Sequence, residues 1–332
     1  MSSSSARVAI GLNAVIAVVE DEEPKVLCVR RDGAFALPYG PFDPESHRTF
    51  EIGLRDWVER QTHVSLGYVE QLYTFGDKGR EAPAASLAGG AAGDRIVSVG
   101  YLALAPEPAP VDDAGAAWRS WYEFFPWEDW RSGEPEVLTS FVLPELAAWS
   151  ENALEKLVAE SRVARTRLAF GVDGAPWEEE RALDRYELMY EAGLVAEAAR
   201  DRAGPDGEIS AGLRTGASMM SDHRRILATA IGRIRGKLKY RPVIFQLTPQ
   251  TFTLLALQRR VEAIVGFELH KQNFRRAIEQ SGLVEPTLQS QRIGSGRPAT
   301  IFRVKRNVLK DRAGKGLTIP RLRARNVDVP AD

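Results

Sequence analysis

The chain has 332 residues, 44% of them apolar and 27% charged, the make-up of two or three soluble globular domains with room for real cores. Its single cysteine, Cys28, excludes an internal disulfide and a multi-cysteine zinc site, and four scattered histidines (His47, His63, His223 and His270) give no metal-ligand spacing. The net charge of −1 hides two unlike halves, because 23 basic and 8 acidic residues lie from Gly216 to Asp332 (net +15), leaving 21 basic and 37 acidic residues before them (net −16).

The longest apolar run, Val8–Val19, is broken by Asn13 and too short to span a bilayer, and no cleavage-site pattern follows it. Met1–Ser5 reads as a loose terminus. A cytoplasmic protein with no membrane partner is therefore expected. Val8–Val19 and Lys25–Arg30 read as two strands joined by the acidic turn Glu20–Pro24. LPYGPFDPESHRTF and the helix EIGLRDWVERQTHV follow, then the strands YVEQLYTFGD (Tyr68–Asp77) and DRIVSVGYLAL (Asp94–Leu104), separated by a small, glycine-rich loop.

Hairpin, LPxG loop, helix and further strand resemble the Nudix fold. Its motif is a Gly, five residues, a Glu, seven residues, then Arg-Glu-apolar-x-Glu-Glu-x-Gly-apolar, with helix carboxylates three and four apart to hold the Mg²⁺ that promotes attack on a diphosphate. Here Gly40 is present, but Ser46 stands where the first Glu belongs. With Arg55 as the motif Arg, the metal positions fall on Asp56, Glu59 and Arg60. With Thr62-His63-Val64 matched to the x-Gly-apolar end, they fall on Trp57, Arg60 and Gln61. Both registers put a cation, Arg60, where a cation should bind. The expectation is a nucleotide sensor with no catalytic residues, no metal site and no cofactor. The same helix is also compatible with Glu51, Arg55 and Glu59 simply pairing at i,i+4 on a solvated face. Arg30, Arg31, Arg55, Arg80 and Arg95 are candidates to hold the phosphates of a ligand. The aromatic stretch WRSWYEFFPWEDW (Trp118–Trp130) reads mainly as core and edge packing.

From Leu143 to Arg202 the pattern is helical and acidic, with Leu183, Tyr186, Leu188, Tyr190 and Leu194 on one face and a break at Gly171–Pro176. The basic helix SDHRRILATAIGRIRGKLKYRP is expected to start at an N-cap Ser221, to carry the stripe Ile226, Ala230, Ile234 and Leu238, and to serve as a lever, or as a solvated linker, joining the sensor to the C-terminal part.

A first C-terminal helix should follow a capping pattern at Thr248 and Thr251, bury Leu254, Leu257, Val261, Ile264 and Val265, and end at Gly266. A second, His270–Gln280, ends at Gly282 and packs through Phe274, Ala277 and Ile278. Gln272, Arg276 and Glu279 then face outward, with Arg275 on the flank. Runs at Thr287–Arg292 and Ala299–Val304 flank the basic tip Gly294–Pro298. Helix, turn, helix and basic hairpin is the order of a winged helix-turn-helix. An ordinary helix hairpin with a solvated face has the same pattern, and the basic C-terminal half decides for double-stranded DNA.

The segments DHRRIL, KLKYRP, FTLLALQ, KQNFRRAIE and GRPA together resemble bacterial Nudix-related transcriptional regulators of NAD metabolism (NrtR-like). GLRDWVERQT, GYVEQLYTFGD, RYELMYEAGLV and LHKQNFRR are most similar to the branch that represses de novo NAD biosynthesis (NadQ-like). The resemblance implies a homodimeric repressor whose Nudix-like domain binds an adenine or NAD-pathway nucleotide and so releases its operator. It assigns Lys271, Asn273, Arg275 and Arg276 to the recognition helix and Arg297 to the wing; the helical wheel adds Gln272, and Arg292 lies at the base of the basic tip. The expected fold is a Nudix-like α/β/α sandwich with an added helical segment and a C-terminal winged helix-turn-helix. The expected spans are a sensing domain at 1–142, an acidic helical segment at 143–220, a linker helix at 221–242 and the DNA-binding domain at 243–332. The alternative function is an active Nudix pyrophosphatase on ADP-ribose or a related dinucleotide.

Overall fold

The computed structural model describes residues 8–31, 33–77, 80, 95–111, 115–203, 214–291 and 298–305. Strand β1 (Val8–Glu20) turns through Asp21 and Glu22, both at positive φ, into β2 (Glu23–Arg31). The short strands β3 (Ala34–Ala36) and β4 (Tyr39–Pro41), the helix α1 (Phe50–Thr62), and β5 (Tyr68–Phe75), β6 (Arg95–Leu104) and β7 (Ala116–Ser120) complete the first layer set. Sheet order is β3-β2-β1-β6-β5, with β4 on β1 and β7 on β2. β1 runs parallel to β6 from Val8↔Arg95 to Ala17↔Leu104, and antiparallel to β2.

Alternation along β1 assigns the two faces of this sheet. Leu12, Ala14 and Ile16 pack with Leu27, Val99 and Tyr101 against Leu54 and Val58 of α1. Val15, Ala17 and Val19 face the other way, into a core that includes Trp121, Phe124, Phe125 and Trp127, so most of the aromatic stretch is interior as expected. Helices α2 (Leu143–Glu151), α3 (Lys156–Phe170), α4 (Ala182–Ala192), α5 (Ala196–Ala203) and α6 (His223–Tyr240) supply the second helical layer. The C-terminal part comprises β8 (Thr251–Thr253), α7 (Leu254–Val265), α8 (Lys271–Ser281), β9 (Val284–Gln291) and β10 (Ala299–Val304), with sheet order β8-β10-β9.

Two expectations are corrected here. The 221–242 helix is an interior element and not a solvated linker. Ile226, Leu227, Ala230, Ile231, Ile234 and Leu238 of α6 are completely buried, and so are Arg224 and Arg235. Its apolar residues cover most of its circumference, which is the pattern of an interior helix. Asp222 rather than Ser221 occupies its N-cap position, and it makes no side-chain cap bond. Second, α7 is capped by Thr253, whose hydroxyl accepts from Ala256 N at 3.1 Å. Thr248 instead turns back to donate to Ile244 O (2.8 Å), and Thr251 lies in β8. One continuous apolar core contains Val15 and Leu102 of the sheet, Leu146, Tyr186, Ile231 and Ile234 of the helical layer, and Val261 and Phe274 of the C-terminal helices, so all four expected spans contribute to it.

Buried ion pairs hold these layers together. Glu128 receives Arg185 at 2.6 and 2.9 Å and also contacts Arg235; all three side chains are fully buried. Burial alone would raise the Glu128 carboxyl, but the two guanidiniums outweigh it and hold it below the usual carboxylate range. Glu197 receives Arg224 at 3.1 Å, and Arg224 also donates to Phe124 O at 3.0 Å. Leu37 N donates to His223 Nδ1 at 2.9 Å, tying the start of α6 to the sheet.

Candidate nucleic-acid interface

Helix α7 presents Leu257, Val261, Ile264 and Val265 to the core and ends at Gly266 in the left-handed conformation (φ +81). A side chain at 266 could not fit even with that backbone, because a Cβ there would overlap the Glu128 carbonyl. The carbonyls at and just past the end of α7 are taken up by the segment that follows β7 and by α6. Tyr122 Oη donates to Ala263 O (2.7 Å), Arg235 Nε to Ile264 O (2.8 Å) and Trp130 N to Gly266 O (2.8 Å). Phe267 follows, in contact with the rings of Trp130 and Trp177.

The turn is organised by a carboxylate that sequence reading missed. Glu262 is buried, and its Oε1 accepts from Gln258 Nε2 and Leu269 N, both at 2.8 Å, while Gln258 also donates to Leu269 O at 2.8 Å. The signal was present as two polar residues four apart on a face otherwise apolar, a spacing that brings side chains together. It was obscured because a polar pair on a helix reads first as solvated.

Helix α8 begins after His270 and ends at Gly282 (φ +67). Phe274 and Ile278 are buried, whereas Lys271, Gln272, Asn273, Arg275 and Arg276 are exposed. The structure therefore brings these five predicted residues onto the outer side of one helix. Arg275 is not fully available, since its Nε donates to Glu279 Oε1 at 2.9 Å. β9 and β10 form the expected hairpin, pinned by Thr287 Oγ1 to Ile301 O (3.0 Å) and by the pair Arg303–Glu285 (2.8 Å). Arg292 and Arg297 lie outside the described residues. Guanidinium and amide groups on an exposed helix beside a β-hairpin can donate to base edges and phosphates.

The ligand candidates divide. β2 runs antiparallel and β6 parallel to β1, so Arg30 and Arg31, at the end of β2, and Arg95, at the start of β6, lie at the same end of the sheet and are exposed. Arg30 donates to Gly33 O (3.2 Å) and Arg95 to Gly76 O (2.6 Å). The other two hold protein groups. Arg55 binds Glu51 (2.9 Å), Leu66 O and Gly67 O, and Arg80 binds Glu187 (2.9 Å) while lying 3.6 Å over the Tyr190 ring.

The motif register on α1 is decided by its end. His63 occupies the left-handed position (φ 56) that closes the helix, the place of the motif glycine, and Val58 and Val64 are the buried apolar positions. This selects Trp57, Arg60 and Gln61 at the three carboxylate positions. The Trp57 ring covers Gly40, where a Cβ would overlap it, and its Nε1 donates to Pro41 O (2.8 Å). Gln61 bonds both Tyr39 N and Tyr39 O, at 3.1 and 2.6 Å, and Arg60 pairs with Asp56 at 2.8 Å. An indole, a guanidinium and an amide do not form the carboxylate set that Mg²⁺ requires.

Residues 244–304 match the family model of the NrtR DNA-binding winged helix domain. A curated relative, the ADPR responsive transcriptional repressor NtrR of Acinetobacter baylyi, is 42% identical over 82 residues, 25% of this chain. That match spans 32% of the relative's length. The crystal structure of Shewanella oneidensis NrtR has the same fold, with a TM-score of 0.53 at 19% identity over 93% of this chain and 99% of that one. A Nudix-like α/β/α sandwich is thus joined to a winged helix of the NrtR type.

Proposed function

We propose that the chain is a nucleotide-responsive transcriptional repressor that binds operators of NAD-biosynthesis genes as a two-fold dimer in the cytoplasm. The observation that carries this reading is α8: Lys271, Gln272, Asn273 and Arg276 stand exposed on the second helix of a segment that matches a DNA-binding winged helix. In this reading Gln272, Asn273 and Arg276 face base edges, while Lys271, Arg275, Arg292 and Arg297 contact the backbone. Among the described residues no helix is long and apolar enough to cross a membrane.

The Nudix-like domain acts here as a sensor. Its effector is an adenine or NAD-pathway nucleotide, and the name of the Acinetobacter relative makes ADP-ribose the first to try. Arg30, Arg31 and Arg95 supply the phosphate contacts; Arg55 and Arg80 brace the walls. Hydrolysis is absent in this reading because Trp57, Arg60 and Gln61 replace the metal-binding carboxylates. The test is fluorescence anisotropy of a labelled promoter duplex from NAD-synthesis genes, titrated with ATP, NAD and ADP-ribose in turn. Salt-sensitive binding that one nucleotide abolishes is expected. Absence of specific binding, together with Mg²⁺-dependent cleavage of a nucleotide, would establish a pyrophosphatase instead.

A further inference from the structure

Helix α3 has its apolar stripe on the wrong side for a surface helix. Its inner side rests on α2 and α4 through Ala169 and Phe170, and Arg162 there donates to Trp149 O at 2.6 Å. The opposite side carries Leu157, Ser161, Ala164 and Leu168, all exposed, Leu157 at 77% and Leu168 at 49%. Their alternating spacing of four and three residues is that of the seam of a coiled coil. Nothing else in the described chain covers so regular a stripe.

We propose that a second copy of this chain covers it, with the two α3 helices packed antiparallel across a two-fold axis. The stripe is complementary to itself in that arrangement. Leu157 meets Leu168 of the second copy at each end, and Ser161 meets Ala164 in the middle, where small side chains let the backbones approach. The flanks agree. Glu160 and Arg167 lie along one edge of the stripe, and an antiparallel two-fold sets each Glu160 against the other copy's Arg167, twice over. The helix dipoles also oppose favourably. A parallel pairing would set Glu160 near Arg165, whose guanidinium already pairs with the Glu191 carboxylate, whereas Glu160 has only a loose 3.8 Å contact with Lys156 and Arg167 only a backbone carbonyl, Asp173 O, at 3.2 Å. The inference supplies a surface for the two-fold dimer of the preceding reading, yet it is measured without DNA and can stand if that reading fails.

Sedimentation velocity of the full chain tests it. The parent should sediment as a dimer, and Leu157→Glu with Leu168→Glu should weaken self-association at least ~100-fold. Both leucines are exposed in the single copy, so far-UV circular dichroism should be unchanged, which separates lost association from lost folding. Glu160→Arg alone should weaken the dimer ~10-fold, and adding Arg167→Glu should restore it. A monomeric parent, or a dimer indifferent to the leucine changes, overturns the proposal. Failure of the double charge reversal to restore association overturns the antiparallel arrangement.

Discussion

Helices α6 and α8 both belong to the basic half of the sequence, and they use their charges in opposite ways. On α6, Arg224 and Arg235 are buried against Glu197 and Glu128, while Lys237 meets Glu70 and Lys239 meets Glu180. On α8, Lys271 and Arg276 stand in solvent, and Arg275 pairs with Glu279 of the same helix. Every one of those carboxylates facing α6 comes from the acidic half. The two halves therefore neutralise each other around α6, while on α8 Lys271 and Arg276 stay exposed to solvent. Sign of charge alone does not mark a DNA surface; the breadth of the apolar pattern around the charges does.

The largest effect should come from cutting the α6 side of this contrast. Glu128→Gln would leave two buried guanidiniums facing a neutral amide and should cost ~3–5 kcal/mol in urea unfolding. A loss below ~1 kcal/mol would mean that the ion cluster is not what joins the layers.

The start of α6 gives the next effect. Burial pushes Asp222 up to about 6 from its ordinary 3.8, against the pull of Arg80 and Arg225, and pushes His223 down to about 3 from 6.5, with Arg200 adding to the shift. Between these values the folded chain holds an extra proton at Asp222 and lacks one at His223. The Asp222 contribution to stability is lost as pH rises through this window, the His223 contribution is lost as pH falls, and in the parent they largely cancel. Asp222→Asn should expose the His223 slope, so that stability falls ~1.4 kcal/mol per pH unit faster than in the parent between about pH 6 and pH 4. Parallel pH profiles of the two proteins would show that the cancellation is absent.

On α8, Arg276→Ala should cost ~1–3 kcal/mol on the operator and relax sequence preference at one position, read by anisotropy at fixed salt. An equal loss on scrambled duplex would remove Arg276 from base recognition. Arg275→Ala should do least, because Glu279 already shares its charge at 2.9 Å, and should lower the salt slope by less than about one. If it matched Arg276→Ala, the exposed pair would have to open on binding.

The winged helix was legible in the sequence because its signals are local. Gly266 and Gly282 close their helices, and the three- and four-residue spacing of Leu257, Val261 and Ile264 gives the buried face. The strands β1, β2, β5 and β6 were likewise marked by β-branched runs. What escaped depends on distant partners. Nothing near Arg224 or Arg235 in the chain announces Glu197 or Glu128, so a basic amphipathic helix read as a lever. The register of α1 was open for a similar reason, because a histidine gives no hint of the left-handed backbone that His63 adopts. The arginines proposed for the effector divide: the Glu51–Arg55 pair was legible as an i,i+4 spacing, whereas Arg80 is held by Glu187, a partner only the fold supplies.

The clamp on Gly266 has one more consequence. Three carbonyls at the end of α7 are held by Tyr122, Arg235 and Trp130, and the glycine between the two DNA-binding helices has no room to rotate past Glu128. In the proposed reading, the recognition helix would have no hinge at Gly266 and would turn with the body that holds that glycine. In a two-fold dimer, an effector would then act on phasing: it would alter the distance or twist between two stiff bodies until their recognition helices no longer fall into successive major grooves.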